Sequence, residues 1–361
     1  MIKANLSLLP FKLQNRLSFL FNNLSELENI FFKTNKIEID KPIFICGSPR
    51  SGTTLLTHVL NQHEDVGSFE YQDLPFYKIP IIWSKINKVY YGKVKSSPRI
   101  HGDNLNVGLD SPDAFEELIW SNNIEEYKKN GFCKYLDASY DNLKLQTDLI
   151  ESIKKILFLR KKTRYLSKGN YNIFRLKFIL KTFPSAKIII CCRKPIDTSQ
   201  SLEKVHLKFN NMSKQDPMFK KKLIELCHYE FGPQRKAVLT DKESYDSIIN
   251  FWKKNDNLNG YLLQWSKIYK MVNENYLENN QINKKFFLLD YDEFIENQDT
   301  YLKKILNFCE LNNNEKLFNQ SIQIKKISKT TENKSVDEDL FGQANLIYEK
   351  LKHFIERNYQ S

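Results

Sequence analysis

Residues 42–56 read Pro42-Ile-Phe-Ile-Cys-Gly-Ser-Pro-Arg-Ser-Gly-Thr-Thr-Leu-Leu56, and their reading decides the fold. Pro42 to Cys46 is a short apolar run that stops at Gly47, and Thr53 to Gln62 then sets Leu55, Leu56, Val59 and Leu60 on one helical face. A strand, a tight turn and a helix follow one another without a break. Such a unit aims the backbone amides of the turn and the positive end of the helix at one point, which is a cradle for an anionic group.

Working outward, the same pattern recurs. Tyr171 to Phe183 is an amphipathic helix, Pro184-Ser185 a break, and Lys187 to Cys192 a continuous apolar strand of the kind buried on both faces of a parallel sheet. Arg193, Pro195 and Asp197 open a helix that runs through Ser201 to about Phe209. Leu258, Leu262, Trp265, Tyr269, Val272 and Tyr276 form a stripe of core packing, and Phe286 to Tyr291 is again strand-like. Strands separated by helices predict an α/β fold of three layers, with a central parallel sheet of P-loop nucleotide-binding type. Ligands would bind outside the carboxyl ends of the strands, just after Cys46, Cys192 and Leu289. Residues 1–361 are expected to form a single domain. Residues 1–36 would be an N-terminal helical extension carrying Leu17, Leu20, Phe21, Leu24 and Leu27, and residues 70–165 a mainly helical insert. Within the insert, Ser111-Pro112-Asp113 reads as the start of a helix over Ala114 to Tyr127.

Composition narrows the class. With 41% hydrophobic and 13% aromatic residues the chain holds a sizeable core, and 11 Gly and 11 Pro exclude a low-complexity or collagen-like chain. Apolar runs such as Ile188 to Cys192 fall far short of the ~20 residues that span a bilayer, so a soluble protein without a transmembrane segment is expected. Met1 to Leu20 has no continuous apolar core with a small-residue cleavage site, which argues for a cytoplasmic protein. Cysteines 46, 133, 191, 192, 227 and 309 form no C-x-x-C pair and read as free thiols in a reducing compartment, with no metal site. Fifty-five basic against 43 acidic residues give a formal charge of +12. That excess favours an anionic partner, or it is compositional bias spread over the surface. No basic tract with interleaved aromatics points to nucleic acid.

The turn itself is informative. Gly47 to Thr54 has the spacing of a Walker A loop, G-x-x-x-x-G-K-[ST], but Thr53 stands where the lysine would reach the β- and γ-phosphates. A cradle without that lysine suits a nucleotide with one sulfated or phosphorylated group at its 5′ end. The segment Gly47 to Leu56 resembles the 5′-phosphosulfate loop of sulfotransferases that use 3′-phosphoadenosine 5′-phosphosulfate. Arg193-Lys-Pro-Ile-Asp-Thr-Ser-Gln-Ser201 is similar to that family's R-x-P-x-D-x-x-x-S segment, in which the Arg and the last Ser hold the donor's 3′-phosphate. The likeness extends to Tyr165-Leu-Ser-Lys168, Phe183-Pro and Leu289-Asp-Tyr291-Asp-Glu-Phe, discontinuously over residues 41–310. It is nearest the bacterial and tyrosylprotein-sulfotransferase-like branch, and the R-K-G-x-x-G segment of the animal cytosolic branch is missing.

The resemblance implies roles. Ser48, Pro49, Arg50, Ser51, Gly52, Thr53 and Thr54 would hold the donor's 5′ end, Arg193 and Ser201 its 3′-phosphate, and Tyr291 its adenine unless it only packs the core. Arg50 would be the cation on the transferring sulfuryl group, Lys168 the lysine near the reacting centre, and Glu70 the general base. Asp73 competes for that last role, and His206, about one and a half helical turns beyond Ser201, is a further alternative. His101, Asp103, Glu116 and Glu117 either recognise acceptor hydroxyls or form a solvated loop and helix face. The expected activity is metal-independent sulfuryl transfer to a hydroxyl. A carbohydrate or glycolipid acceptor ranks first, a tyrosyl phenol or small metabolite second. Two other readings stay open: a P-loop small-molecule kinase with Asp290 as its Mg²⁺ carboxylate, and a non-catalytic nucleotide- or anion-binding protein.

Overall fold

The structure is a computed structural model, and it describes residues 13–14, 16–92, 94–102, 105–124, 135–239, 241–278, 283–313, 317 and 336–359. Helix α1 (Ser18–Phe32) precedes β1 (Ile43–Gly47), α2 (Thr53–Leu60) and β2 (Val66–Gly67). Next come α3 (Pro80–Tyr91), an antiparallel ribbon of β3 (Ser97–Pro98) and β4 (Asn106–Val107), α4 (Glu117–Asn123) and α5 (Leu143–Arg160). Then follow β5 (Arg164–Lys168), α6 (Leu176–Thr182), β6 (Lys187–Cys192), α7 (Pro195–Gln215), α8 (Pro217–Glu225), α9 (Lys242–Lys253) and α10 (Asn257–Val272). The chain closes with β7 (Phe286–Asp290), α11 (Tyr291–Glu296), α12 (Gln298–Cys309) and α13 (Glu338–Tyr359).

The main sheet has the order β2-β5-β1-β6-β7, and every neighbouring pair is parallel. All five carboxyl ends therefore emerge at one edge. Side chains alternate across each strand, so a continuous apolar run supplies both faces. Ile43, Ile45, Ile189 and Phe287 pack with Leu56 and Leu60 of α2 and Ile305 and Leu306 of α12. Phe44, Ile188, Ile190 and Leu288 pack on the opposite side with Ile156, Ile179, Trp265 and Tyr269 from α5, α6 and α10. Helix, sheet, helix is the three-layer α/β arrangement expected.

Several local expectations change. Among residues 1–36 the described helix α1 is tied to the body: Glu28 is buried, accepts the Ile82 backbone N–H of α3 at 2.6 Å, and pairs at 3.3 Å with the buried ammonium of Lys155 in α5. The expected helix over Ala114 to Tyr127 begins only at Glu117, and residues 125–127 lie outside the described residues. Its supposed opening turns elsewhere, because Pro112 bridges to Glu70 and the Asp113 carboxylate accepts from Lys168. The ribbon β3–β4, too short to leave a periodic pattern, went unread in the sequence. The helix expected over Tyr171 to Phe183 is broken at Arg175, whose backbone (φ −125°, ψ 7°) leaves the helical region. The break swings the guanidinium into a buried bidentate pair with Glu117, at 3.0 and 2.7 Å, over the Trp120 ring at 4.5 Å. Glu117 and Glu116 are thus core carboxylates, and the solvated-face reading is corrected.

Arg175→Ala would strand Glu117 as an unpaired buried charge, which costs roughly 3–5 kcal/mol. A urea unfolding midpoint within experimental error of the wild type would contradict the pairing.

Candidate active site

The loop after β1 is shaped by three positive backbone angles, at Gly47 (φ 152°), Arg50 (φ 73°) and Gly52 (φ 96°). A Cβ at Gly47 would collide with the Cys191 carbonyl of β6 and come within 2.7 Å of Ser51 Oγ; one at Gly52 would collide with the Tyr291 ring. Glycine is required at both by space as well as angle. Tyr269 of α10 fastens the loop: its hydroxyl donates to the Cys191 carbonyl (2.5 Å) and accepts the Ser48 backbone N–H (3.1 Å). Ser51 N–H donates to the Ser48 carbonyl at 3.1 Å and closes the turn after Pro49. Thr53 and Thr54 begin α2, so their backbone donors lie at its positive end.

Each candidate segment follows a strand end on the same edge: residues 48–54 after β1, Glu70 after β2, Lys168 at the end of β5, Arg193 after β6 and Tyr291 after β7. Arg193 lies over the Tyr291 ring, 4.8 Å from its centroid, and its carbonyl accepts from Trp265 Nε1 at 3.1 Å. Its Nε is buried and finds no hydrogen-bond partner among the described residues, an orphan donor that a buried anion would satisfy. Arg50 Nε donates to Ser201 Oγ of α7 at 3.0 Å. The sequence reading set Arg50 and Ser201 at opposite ends of the donor; the hydrogen bond joins them.

Lys168 is buried, and its ammonium donates to Asp113 Oδ1 at 3.1 Å. Asp113 Oδ2 accepts from Tyr71 at 2.9 Å and stands 3.7 Å from Arg99 Nη2. Thr53 Oγ1 donates to Asn170 Oδ1 at 3.3 Å, and Asn170 Nδ2 donates to Glu230 Oε1 at 3.2 Å. Burial opposes the charge on Glu230, but His228, 3.7 Å away, and the more distant Lys168 outweigh it and hold the carboxyl below its ordinary range. Asp113, Asn170 and Glu230 were missed by sequence reasoning. They stand outside the two recognisable motifs, and no spacing rule links them to the loop.

Glu70 is a buried carboxylate. Arg160 Nε approaches it at 3.1 Å and the Gln72 amide donates to it. Burial pushes its pKa up to about 7, against the pull of Arg160 and with the help of Asp73. Asp73 accepts from Arg160 Nη2 at 2.7 and 2.6 Å and from the Glu70 backbone at 2.7 Å, so both its oxygens hold structure together.

His206 does not join the constellation. Its Nδ1 accepts the Gly232 N–H at 3.1 Å, and its Nε2 stands 2.9 Å from the Asn210 side-chain amide. Burial, followed by the Arg235 charge, pushes its pKa down to about 3. A ring with both nitrogens engaged is a packing element, and this corrects its candidacy as a base. His101 is packed between Phe209 and Phe231, while Asp103 and Cys133 lie outside the described residues. Cysteines 46, 191, 192, 227 and 309 are free. Asp290 caps α11 through Oδ1, which accepts from Asp292 and Glu293 N–H, while Oδ2 accepts from Tyr348 of α13 at 2.5 Å. Both oxygens are thus committed to structure, against the kinase assignment.

A family model described as "Sulfotransferase family" matches residues 42–229. No curated protein matches the chain. Among solved structures, the sulfotransferase STF1 from Mycobacterium tuberculosis superposes with a TM-score of 0.52 at 12% identity, covering 97% of this chain and 88% of that one. The sulfotransferase STF9 from Mycobacterium avium gives 0.46 at 13% identity, covering 90% and 77%. At such identity the first likeness speaks for the fold alone.

The His206 assignment sets a pH signature. Between the unfolded value of about 6.5 and the folded value of about 3, the unfolded chain binds a proton here that the folded chain refuses, so this site subtracts stability as pH falls through that window. The His206 ring resonance, assigned by loss in His206→Gln, is expected to show no titration step between pH 5 and 8. A midpoint near 6.5 would return it to the pool of bases.

Proposed function

Because the chain belongs to the sulfotransferase family, we propose that it is a sulfotransferase moving the sulfuryl group from 3′-phosphoadenosine 5′-phosphosulfate to a hydroxyl acceptor. The observation that carries the choice of donor is the joining of the lysine-free loop to the second motif through Arg50 and Ser201. Two cationic side chains, Arg50 and Arg193, stand beside a loop of backbone donors, and this fits a nucleotide charged at both ends without a triphosphate tail. The orphan Arg193 Nε and the Gly47 cradle support the same fit.

In this reading residues 48–54 hold the 5′ end, while Arg193 and Ser201, joined by Arg50, hold the 3′-phosphate. The acceptor oxygen forms a bond to sulfur as the bond from sulfur to the nucleotide's bridging oxygen breaks, and the acceptor proton passes to Glu70. The bisphosphate leaves with the electron pair of the broken bond, balanced by Lys168. Positioning and electrostatics carry most of such a transfer. A carboxylate held near neutrality is suited to accept a proton and release it again. The family resemblance favours a carbohydrate or glycolipid hydroxyl, and the free thiols among the described residues suit a cytoplasmic setting.

In a thermal-shift experiment, 3′,5′-adenosine bisphosphate without metal should stabilise the protein by about 2.7 kcal/mol at 100 times its Kd. ATP with Mg²⁺ should do less. Preference for ATP·Mg²⁺ would return the chain to the kinase reading. Glu70→Gln should keep bisphosphate binding and lose ~10²- to 10⁴-fold in turnover. The base acts ionised, so wild-type turnover should rise as pH climbs through about 7, and the variant should lack that limb. A variant that turns over normally, or keeps the limb, would remove Glu70 from the mechanism.

A further inference from the structure

Helix α1 turns its apolar side to solvent. The leucine stripe visible in the sequence does not pack as one: Phe21 is buried, while Leu17, Leu20 and Leu27 are exposed. Phe19 and Phe31 are each 78% exposed and Ile30 is 72% exposed. The contacts that hold α1 lie on its other side, where Phe21 stacks on Phe76, Glu28 pairs with Lys155, and the Ser25 carbonyl accepts from the Lys155 ammonium at 3.0 Å. By helical spacing Phe19 and Ile30 stand opposite Glu28, with Leu20, Leu27 and Phe31 beside them.

The first turn of α3 meets α1 through the hydrogen bond from Ile82 N–H to Glu28, and it continues the apolar surface. Ile82, Ile86 and Val89, at spacings of four and three, are exposed, Val89 by 88%. A helix that turns an ion pair inward and phenylalanines outward reverses the pattern of a free surface helix, and a contiguous apolar face of this kind marks a site of interaction.

Charge narrows the choice of partner. Arg16 just before α1, Lys33 just after it, and Lys85 and Lys88 of α3 are all exposed, against one exposed acid on the two helices, Glu26. A second copy of the chain docked about a two-fold axis would set this patch against itself, with its basic rim facing the same basic rim. A bilayer with anionic headgroups meets both features at once, the side chains of Phe19, Ile30 and Phe31 entering the acyl boundary and the lysines staying at the headgroups. No described helix is long and apolar enough to cross a membrane, so contact through α1 and α3 would be from one side.

We propose that the outward face of α1, with the adjoining stripe of α3, is a docking surface for an anionic lipid bilayer. The proposal stands apart from the choice of sulfuryl donor, because none of these residues belongs to the donor site.

The test mixes the full chain with sucrose-loaded vesicles, either phosphatidylcholine alone or phosphatidylcholine and phosphatidylglycerol in equal parts, and measures the protein that sediments with them. The wild type is expected to bind the anionic vesicles roughly tenfold more tightly than the neutral ones, and to bind less as salt is raised. Ile30→Ser combined with Phe31→Ser should weaken that binding by roughly tenfold or more and leave the urea midpoint unchanged, since both side chains are exposed. Lys85→Glu combined with Lys88→Glu keeps the apolar face and should lose the preference for anionic vesicles. Absence of vesicle binding by the wild type would overturn the proposal. Equal sedimentation of the wild type and the serine variant would also overturn it, because the overall positive charge alone would then explain the binding. The same holds for a dimer in light scattering that the serine variant dissolves, which assigns the face to a second copy, and for a lowered urea midpoint in that variant, which assigns it to a segment of the chain itself.

Discussion

The close seam between β1 and β6 at their carboxyl ends governs the rest of the molecule. Gly47 stands opposite Cys191 in the parallel register, and the space between them excludes even a methyl group. Into that seam α10 sends one hydroxyl, Tyr269, which ties the Cys191 carbonyl to the Ser48 amide. The loop's donors are therefore oriented by the sheet and by a core helix rather than by their own side chains. The loop is thus held in one shape by contacts within the protein, which leaves it little to reorganise.

The protein also buries several charged side chains, and they differ in how they are paired. Arg175 with Glu117, and Lys155 with Glu28, are closed pairs that fasten helices to one another. Such pairs add little net stability over apolar packing, since the cost of desolvating both ions offsets their attraction. Lys168, Asp113 and Glu230 differ, because their contacts run on, from Lys168 and Asp113 to Tyr71 and from Glu230 through Asn170 to Thr53 of the loop. Burial pushes the Cys46 and Cys191 thiols up, so neither serves as a thiolate in the seam. Glu70 stands between the two kinds: Arg160 holds it, yet burial keeps it protonatable near neutral pH.

How much of this was legible in the sequence follows from how far each signal travels along the chain. The strands at Ile43, Lys187 and Phe286 could be read because both-face burial leaves unbroken apolar runs, and α10 because its stripe repeats at helical spacing. The loop could be read because its glycines have a local cause. Arg175 could not, since the break it makes in a helix exists only to reach Glu117, 58 residues earlier. Nor could Asp113, whose Ser-Pro-Asp context imitates a helix start while its carboxylate is drawn to Lys168. His206 misled for the converse reason. Its spacing from Ser201 is correct for a site residue, but the Gly232 amide that claims its ring comes from a segment with no periodic signal.

Thr53 shows how one substitution in a familiar loop changes what the fold is for. A lysine there would extend toward the outer phosphates of a triphosphate. Threonine is too short to do so, and its hydroxyl turns the other way, to Asn170 and through it to Glu230 and His228. The position that in a nucleotide triphosphatase faces the ligand's tail is here tied instead into a buried polar network of the protein's own side chains.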